Sequence, residues 1–191
     1  MKKFLSATLL SAMFFIGMNA FAQKNEFAGE VSGQFPSANN LSFDPALGYQ
    51  LNFAHRFFGV PGAGLYVEVP FLAGFNNQRT LTSLFTGQNY NSLYVTPGIK
   101  VKFLPAFPLS PYLAAGIGVA HFSASHGGSS ESDFVFDIGG GLDLKVFPHV
   151  SLRGEVRDFI TDTPGLSFNV LQSFAGKTNN VVASGGLVLR F

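Results

Sequence analysis

The end of the chain alternates without a break between two faces, and the alternation continues to the final residue. Leu187, Leu189 and Phe191 belong to one face, whereas Val188 and Arg190 belong to the other. Alternation with a period of two predicts a β-strand. A last strand without a tail leaves its hydrogen-bonding edge open, unless the first strand of the chain pairs with it and closes a barrel. We therefore expect these two strands to pair.

The start of the chain has the layout of an export signal. Lys2 and Lys3 precede an apolar stretch from Phe4 to Met18, and Ala20–Ala22 then supplies a small-x-small cleavage pattern. The apolar stretch is shorter than the ~20 residues of a transmembrane helix, and no stop-transfer charges follow it. We expect residues 1–22 to be a cleaved signal peptide and residues 23–191 to be a single β-barrel domain.

Composition restricts the function classes. Charged residues make up only 12% of the chain, against about 25% in ordinary globular proteins. Without Lys2 and Lys3 the remaining chain has 10 basic and 11 acidic residues, so its charge gives no reason to expect a nucleic-acid partner. There is no cysteine, and we expect no metal and no cofactor. Beyond the signal no apolar run is long enough for a membrane helix.

Eight segments show period-two alternation. They are Phe27–Phe35, Pro45–Ala54, Gly64–Phe75, Asn91–Phe103, Pro111–Phe122, Asp133–Phe147, Val150–Phe159 and the strand that ends at Phe191. The number is even, and the lengths suit tilted strands of about 9–11 residues that cross a bilayer. The predicted fold is all-β, an eight-stranded antiparallel up-and-down transmembrane β-barrel.

The volume of the side chains decides which face points inward. One face carries small residues such as Gly116, Gly118 and Ala114, which suit the crowded interior of eight strands. The other face carries many Leu, Val, Ile and Phe side chains, too many to fit inside. We therefore expect the apolar face to point outward into lipid.

Eleven charged residues have the inward parity. They are Glu30, Glu68, Asp137, Asp143, Glu155, Lys100, Lys102, Lys145, Arg153, Arg157 and Arg190. A buried charge without a partner costs several kcal/mol, so we expect these residues to form a connected network of ion pairs that fills the lumen. We expect Glu155 to lie between basic residues, with Arg153 or Arg157 beside it. An ion-conducting or gated pore is the alternative interpretation.

The connections alternate in length. Compact turns are predicted at His55–Ala63, Leu104–Ser110 and Phe147–His149, and longer loops at Asn76–Asn89, Ser123–Ser132 and Ile160–Lys177, with a shorter first loop at Pro36–Asp44. In barrels of this kind short turns face the periplasm and long loops face outside. We therefore expect both termini at the periplasmic rim, and the loops that carry Arg79, His126 and Phe168 at the opposite rim.

Two prolines lie inside predicted strands. Pro70 and Pro97 have no N–H to donate to a ladder, and they lie at similar distances from the loop between their strands. We predict that both mark a bulge or a local break at one height in the extracellular half of the barrel.

The chain resembles the small eight-stranded outer-membrane barrels related to the transmembrane part of outer-membrane protein A and to the opacity proteins. The resemblance is carried by Pro111–Gly118, Gly139–Lys145, Ser151–Arg157 and the terminal Phe191. It implies location in the outer membrane, contact with lipid and lipopolysaccharide, and insertion by the barrel-assembly machinery, for which Phe191 would be the signal. The chain lacks the peptidoglycan-binding domain of outer-membrane protein A, so cell-wall anchoring is not implied.

Candidate chemistry is confined to one rim segment. His121, Ser123, Ser125 and His126 precede Glu131 and Asp133, and such residues can form a hydrolase triad or a metal site. The motif of the outer-membrane deacylases, a His and a Ser followed directly by Asn, is absent. A polar surface loop explains the segment more simply. Gly139–Gly141 precedes no helix and is interpreted as small interior or close-packing positions.

The last loop is unusually apolar. It contains Leu166, Phe168, Val170, Leu171 and Phe174, and we expect it to fold over the barrel mouth or to lie in the lipopolysaccharide layer, although it is also a candidate site for an extracellular ligand. The sequence favours a monomeric, non-enzymatic barrel of structural or surface-interaction type. The alternatives are a narrow conduit for small or hydrophobic solutes and a lipid A-modifying hydrolase.

Overall fold

The computed structural model describes residues 24–38, 42–43, 45–80, 88–124, 130–162 and 177–191. These residues form ten antiparallel strands. The strands are β1 (Asn25–Ala38), β2 (Ser42–Phe43), β3 (Ala46–Val60), β4 (Ala63–Thr80), β5 (Gln88–Val95), β6 (Gly98–Phe103), β7 (Leu109–Ala124), β8 (Ser130–Phe147), β9 (Val150–Asp162) and β10 (Lys177–Arg190). No helix among the described residues is long and apolar enough to cross a membrane.

The strands close into an eight-stranded barrel, as predicted, because β5 and β6 share one position in the barrel wall and the two-residue β2 pairs only with β4. We call each of the eight wall positions a stave. Their order around the barrel is β1, β3, β4, β5 with β6, β7, β8, β9 and β10. The last strand returns to the first, with Phe35 opposite Val181 and Phe27 opposite Leu189. At the end of this seam the backbone N–H of Asn25 donates to the carbonyl of Phe191 at 2.8 Å, and the N–H of Phe191 donates back at 3.0 Å. The predicted pairing of the last strand with the first is therefore confirmed.

The apolar face of every stave points away from the barrel. Leu113 is 62% exposed and Ile117 57%, whereas the side chains of Lys100 and Lys102 are fully buried. In water this arrangement exposes an apolar band without a partner, but in a bilayer the lipid covers it. The predicted assignment of the two faces is confirmed.

The first and last described residues, Lys24 and Phe191, lie at one rim, which we call the terminus rim. The chain turns back there at Pro61 and Gly62, over residues 104–108, and at Pro148 and His149. The strands extend further than predicted at the other rim. The connections there are residues 39–45, which include β2, and residues 81–87, 125–129 and 163–176. Arg79 consequently lies near the end of β4, opposite Phe43, whereas the predictions for His126 and Phe168 fall outside the described residues.

The two prolines lie side by side but differ in effect. The prediction of a break is confirmed at Pro97, where β5 ends and β6 begins. At Pro70 it is wrong for the β3 side, because the pairing of β4 with β3 continues through Pro70 and Asn52. On its other side the β4 pairing stops between Phe71 and Glu68, and the N–H of Thr96 donates to the Pro70 carbonyl at 3.3 Å. Neither proline has an N–H to donate to a ladder, so one break accommodates both residues.

The closing seam can be tested by cross-linking. Ser37 and Asn179 are opposite each other on β1 and β10, and opposite Cα atoms in antiparallel pairs are about 4.5–5.5 Å apart, a distance that a disulfide spans. We expect Ser37→Cys with Asn179→Cys to oxidise to a cross-link that keeps the barrel from changing gel mobility on heating. The chain has no native cysteine. Ser37→Cys with Ser123→Cys is the control, and equal cross-linking of both pairs would contradict the closure.

Candidate functional site: the charged interior of the barrel

A first group of charged side chains meets at mid-height in the barrel, and we call it the central cluster. Arg157 on β9 contacts three carboxylates, Glu68 at 2.6 Å, Glu155 at 2.7 Å and Asp137 at 2.8 Å. All four side chains are buried. Charge-assisted hydrogen bonds of this length are the strong ones, and one guanidinium has enough donors for three acceptors.

A second group, the terminal cluster, lies closer to the terminus rim. Asp143 accepts from Arg153 at 2.8 Å, Lys102 at 2.5 Å and Arg190 at 3.2 Å. Glu26 pairs with the same three cations and also with Lys100 at 3.3 Å. Acids and bases therefore alternate around the cluster, so each buried charge has opposite charge next to it.

Lys100 joins the two clusters. Its Nζ atom lies 3.3 Å from Glu26 in the terminal cluster and 3.1 Å from Glu68 in the central cluster. Neutral amides provide further hydrogen bonds to the carboxylates: Asn52 donates to Glu68 at 3.0 Å, and Gln50 donates to Glu155 at 2.6 Å. The result is one connected network rather than a set of separate pairs.

Two tyrosines pack among the cations. The ring of Tyr112 lies 4.8 Å from the Arg153 guanidinium and 5.4 Å from Lys100 Nζ, and the ring of Tyr66 lies 5.4 Å from Lys102 Nζ. These distances allow cation–π attraction, which is stronger away from water. The Tyr112 hydroxyl also donates to Glu155 at 2.5 Å. The tyrosines thus fill space between the charged side chains, and they also contact the cations and the Glu155 carboxylate.

The network reaches from one wall of the barrel to the other. Glu68 belongs to β4 and Arg157 to β9, and three staves separate these strands in either direction around the barrel. Their 2.6 Å contact means that the side chains of opposite staves meet at the axis. Two inward glycines make the room, because a Cβ on Gly139 would come within 2.6 Å of Arg157 and one on Gly141 within 2.6 Å of the Tyr112 hydroxyl. The interpretation of these glycines as close-packing positions is confirmed.

Ten of the eleven residues that the sequence placed inside have an oppositely charged partner within 3.9 Å. Glu155 lies beside Arg157, as predicted. Lys145 is the exception: it is only partly buried, and no carboxylate of the described part of the chain lies within ion-pair distance of it. Glu30 is the most weakly paired carboxylate, since Arg153 is 3.9 Å away and the closer donor is the Ser184 hydroxyl at 2.7 Å.

Glu26 belongs to the interior network but was not among the predicted interior charges. The first strand was predicted to begin at Phe27, but it begins at Asn25, and Glu26 then shares the inward face with Ala28 and Glu30. That alternation was the available signal. Arg56 was also left out, although it is buried at the terminus rim and pairs in register with Tyr66.

The interior beyond the central cluster contains a group of apolar side chains that the alternation of the sequence did not predict. We call the group the apolar cluster, and it consists of Leu72, Tyr94, Ala120, Phe122, Val135, Phe159 and Val182. The Tyr94 ring packs edge-on against Phe122 at 5.8 Å and lies 5.2 Å from Phe159. The Asn180 side-chain amide donates to the Tyr94 hydroxyl and to the Oε1 atom of Gln34, both at 3.2 Å.

The rim segment with histidines is described only in part. His121 points outward, and its Nδ1 atom lies 2.8 Å from the Ser132 hydroxyl. No group of three or more His, Cys, Asp or Glu side chains that could hold a metal ion occurs in the part of the chain that the structure describes. Ser125 and His126 lie outside the described residues.

With the closed barrel and its interior established, comparison with known proteins decides the family. The sequence model of the outer membrane protein beta-barrel domain matches residues 7–191. The chain belongs to this family. Membership places the protein in the outer membrane. A comparison with curated protein sequences finds no significant match.

Solved structures share the fold at low sequence identity. Neisserial surface protein A matches with a TM-score of 0.60 and 14% identity, covering 87% of this chain and 97% of its own. OprG of Pseudomonas aeruginosa matches with a TM-score of 0.61 and 15% identity, covering 88% and 96%. The outer membrane enzyme PagL matches with a TM-score of 0.50 and 19% identity, covering 82% and 97%. At these identities the matches show a common fold and not a common activity.

The network makes a stability prediction with a matched control. Arg157→Met leaves three buried carboxylates without their shared cation, and breaking a buried ion pair costs about 3–5 kcal/mol. We expect a loss of that size in the free energy of unfolding, measured by urea denaturation from lipid vesicles. Lys145→Met removes a cation of the same parity but without such partners, and we expect a change within about 0.5 kcal/mol. Equal losses in the two variants would contradict the network.

Proposed function

We propose that this protein is a non-enzymatic outer-membrane barrel of structural or surface-interaction type, whose interior charge network closes the passage through the barrel. The contact between Glu68 and Arg157 carries the proposal, because it joins opposite staves at 2.6 Å. An eight-stranded barrel has an interior just wide enough for side chains. A channel would need a continuous wet lumen along this axis.

Two further features support a closed interior. Lys100 and Lys102 are fully buried although each carries a charge, so every solute path past them has to break ion pairs. The apolar cluster then forms a second layer beyond the central cluster. The side chains of this cluster carry no charge, so an ion would lose its hydration there without gaining an oppositely charged partner. Any binding of partners then takes place on the outer surface of the barrel and at the connections at the rim opposite the termini.

The proposal includes an orientation and partners. The two ends of the described barrel, Lys24 and Phe191, share a rim whose described turns are short. This is the periplasmic arrangement in barrels of this kind, so the long connections face outside. Outer-membrane lipid and lipopolysaccharide surround the band, and an extracellular ligand would bind at the long connections. The barrel-assembly machinery would read Phe191 during insertion, and the finished barrel is a monomer.

Planar-bilayer recording tests the closed interior. We expect purified protein to give no discrete current steps, because the ion pairs fill the lumen. The double variant Glu68→Ala with Arg157→Ala removes the contact between opposite staves but leaves the terminal and apolar clusters, so we expect at most rare, small steps from it. Leu113→Ala, on the outer face, is the control and should remain silent. Steps in the unaltered protein, unchanged in the double variant, would instead support a solute conduit.

Proteolysis of intact cells tests the orientation. We expect an external protease to cut within residues 163–176, while the turn over residues 104–108 stays protected until the outer membrane is permeabilised. The reverse pattern would overturn the orientation. The same cells provide a test of enzyme activity, because we expect expression of the protein to leave the mass of lipid A unchanged.

A further inference from the structure

One row of interior side chains is unusually small. Backbone pairing places five residues opposite one another in turn, on the neighbouring strands β10, β1, β3, β4 and β5, and these are Ser184, Ser32, Gly48, Gly74 and Ser92. We call them the small-residue row. At one end the row meets Glu155 of the central cluster, and at the other end it meets Phe122 of the apolar cluster. Over five of the eight staves, the row therefore leaves interior space that its own side chains do not fill.

The side chain of Gln34 occupies part of that space. A Cβ atom on Gly48 would come within 2.5 Å of Gln34 Nε2, and one on Gly74 would come within 2.5 Å of the same atom and 2.7 Å of Gln34 Oε1. Gln34 belongs to β1, so its side chain extends over the backbones of β3 and β4. Both positions need glycine, because a side chain at either one would collide with this amide. The fold therefore provides a cradle of two glycines for one carboxamide group.

Gln34 is held in this cradle by few interactions. Its Oε1 atom accepts a hydrogen bond from Asn180 at 3.2 Å, and its Nε2 atom donates to no described residue. A buried N–H without an acceptor costs free energy. Arg157, by contrast, makes three ion pairs of 2.8 Å or less. Of these two long interior side chains, Gln34 is therefore the one that can be displaced at low cost.

Four more buried polar atoms lack a hydrogen-bond partner among the described residues. They are Ser32 Oγ, Gln50 Oε1, Glu30 Oε1 and Arg153 Nη1, and we call their residues the interior polar site. Ser32 follows Glu30 by two positions on β1, and Gln50 lies opposite Glu30 on β3. The Glu30 and Arg153 atoms are 3.9 Å apart, which is too long for a hydrogen bond, so a third group can bond to both. Because the charges of Glu30 and Arg153 offset each other, the site favours an uncharged molecule that both donates and accepts hydrogen bonds.

We propose that the interior polar site binds small uncharged molecules that carry a hydrogen-bond donor and an acceptor, and that Gln34 is its lid. The cradle indicates the size of the ligand, since it already holds a carboxamide. β1 runs from the terminus rim past Ser32 to Gln34, so the lid lies toward the opposite rim, and the ion pairs of the charged clusters block the other direction. An ion would lose its hydration in the uncharged layer. The inference goes beyond the proposed function, because a site that ends at the charged clusters leaves the passage through the barrel closed.

The reactivity of single cysteines tests the site, since the chain has no native cysteine. Ser32→Cys reports on the site itself. Two controls lie on the same strand, Ala28→Cys, which is buried nearer the terminus rim, and Ser37→Cys, which is exposed near the opposite rim. Folded full-length chain in detergent micelles, where reagents reach both rims, is treated with uncharged methyl methanethiosulfonate or with its cationic trimethylammonium-ethyl analogue. Each rate is measured with and without Gln34→Ala.

We expect the uncharged reagent to modify Ser32→Cys more slowly than Ser37→Cys but several-fold faster than Ala28→Cys. The cationic reagent should leave Ser32→Cys unmodified. Gln34→Ala should raise the rate of the uncharged reagent at Ser32→Cys several-fold, because it removes the lid. Val182→Ala is the matched control, since Val182 is buried and lies opposite Gln34 on β10, and it should leave that rate unchanged.

If Ser32→Cys reacts no faster than Ala28→Cys, with or without Gln34→Ala, the site is overturned and the proposed function stands. Equal acceleration by Gln34→Ala and Val182→Ala overturns the role of Gln34 as the lid. If the cationic reagent modifies both Ser32→Cys and Ala28→Cys, the interior is a wet channel. That result contradicts the inference and also the closed interior of the proposed function.

Discussion

Closure of the sheet is the constraint on which the rest of this structure depends. In the hydrocarbon region no water is available, and each unpaired backbone N–H or C=O costs several kcal/mol. The seam between β1 and β10, completed by the paired hydrogen bonds of Asn25 and Phe191, removes the last open edges. Even the interruption at Pro70 and Pro97 obeys this constraint, because it falls where two residues without an N–H lie next to each other.

Closure with only eight staves then determines the interior. The lumen is narrow enough for Arg157 and Glu68 to meet from opposite walls, so charged side chains inside have little water to solvate them. They must therefore pair with one another, and they form a network in which Lys100 joins two clusters. Toward the other rim, the apolar cluster fills the same width without charge. The barrel therefore has a charged layer and an uncharged layer stacked along its axis.

The period of the sequence predicted the strands, the faces and most of the network, because alternation is a local property and closure follows from the lack of edges in lipid. The errors arose at strand ends. Glu26 was missed by one residue, and the strands at the rim opposite the termini were predicted too short, because hydrogen bonding between neighbours continues pairing beyond the apolar segment. Lys145 has the right parity, but it precedes a bulge near the rim and is not deeply buried.

Sequence alone determined that this chain is an eight-stranded barrel with charges inside and apolar side chains outside. Side-chain volume and alternation are enough for that conclusion. Only the tertiary structure decided which charges meet and that side chains from opposite walls touch. It also decided that two β-bulges, and Leu104 with its left-handed backbone conformation, direct apolar side chains outward at the terminus rim. These features depend on the stagger of each stave relative to its neighbours. Stagger is set by hydrogen bonds between strands distant in sequence, and the pattern of one strand does not contain it.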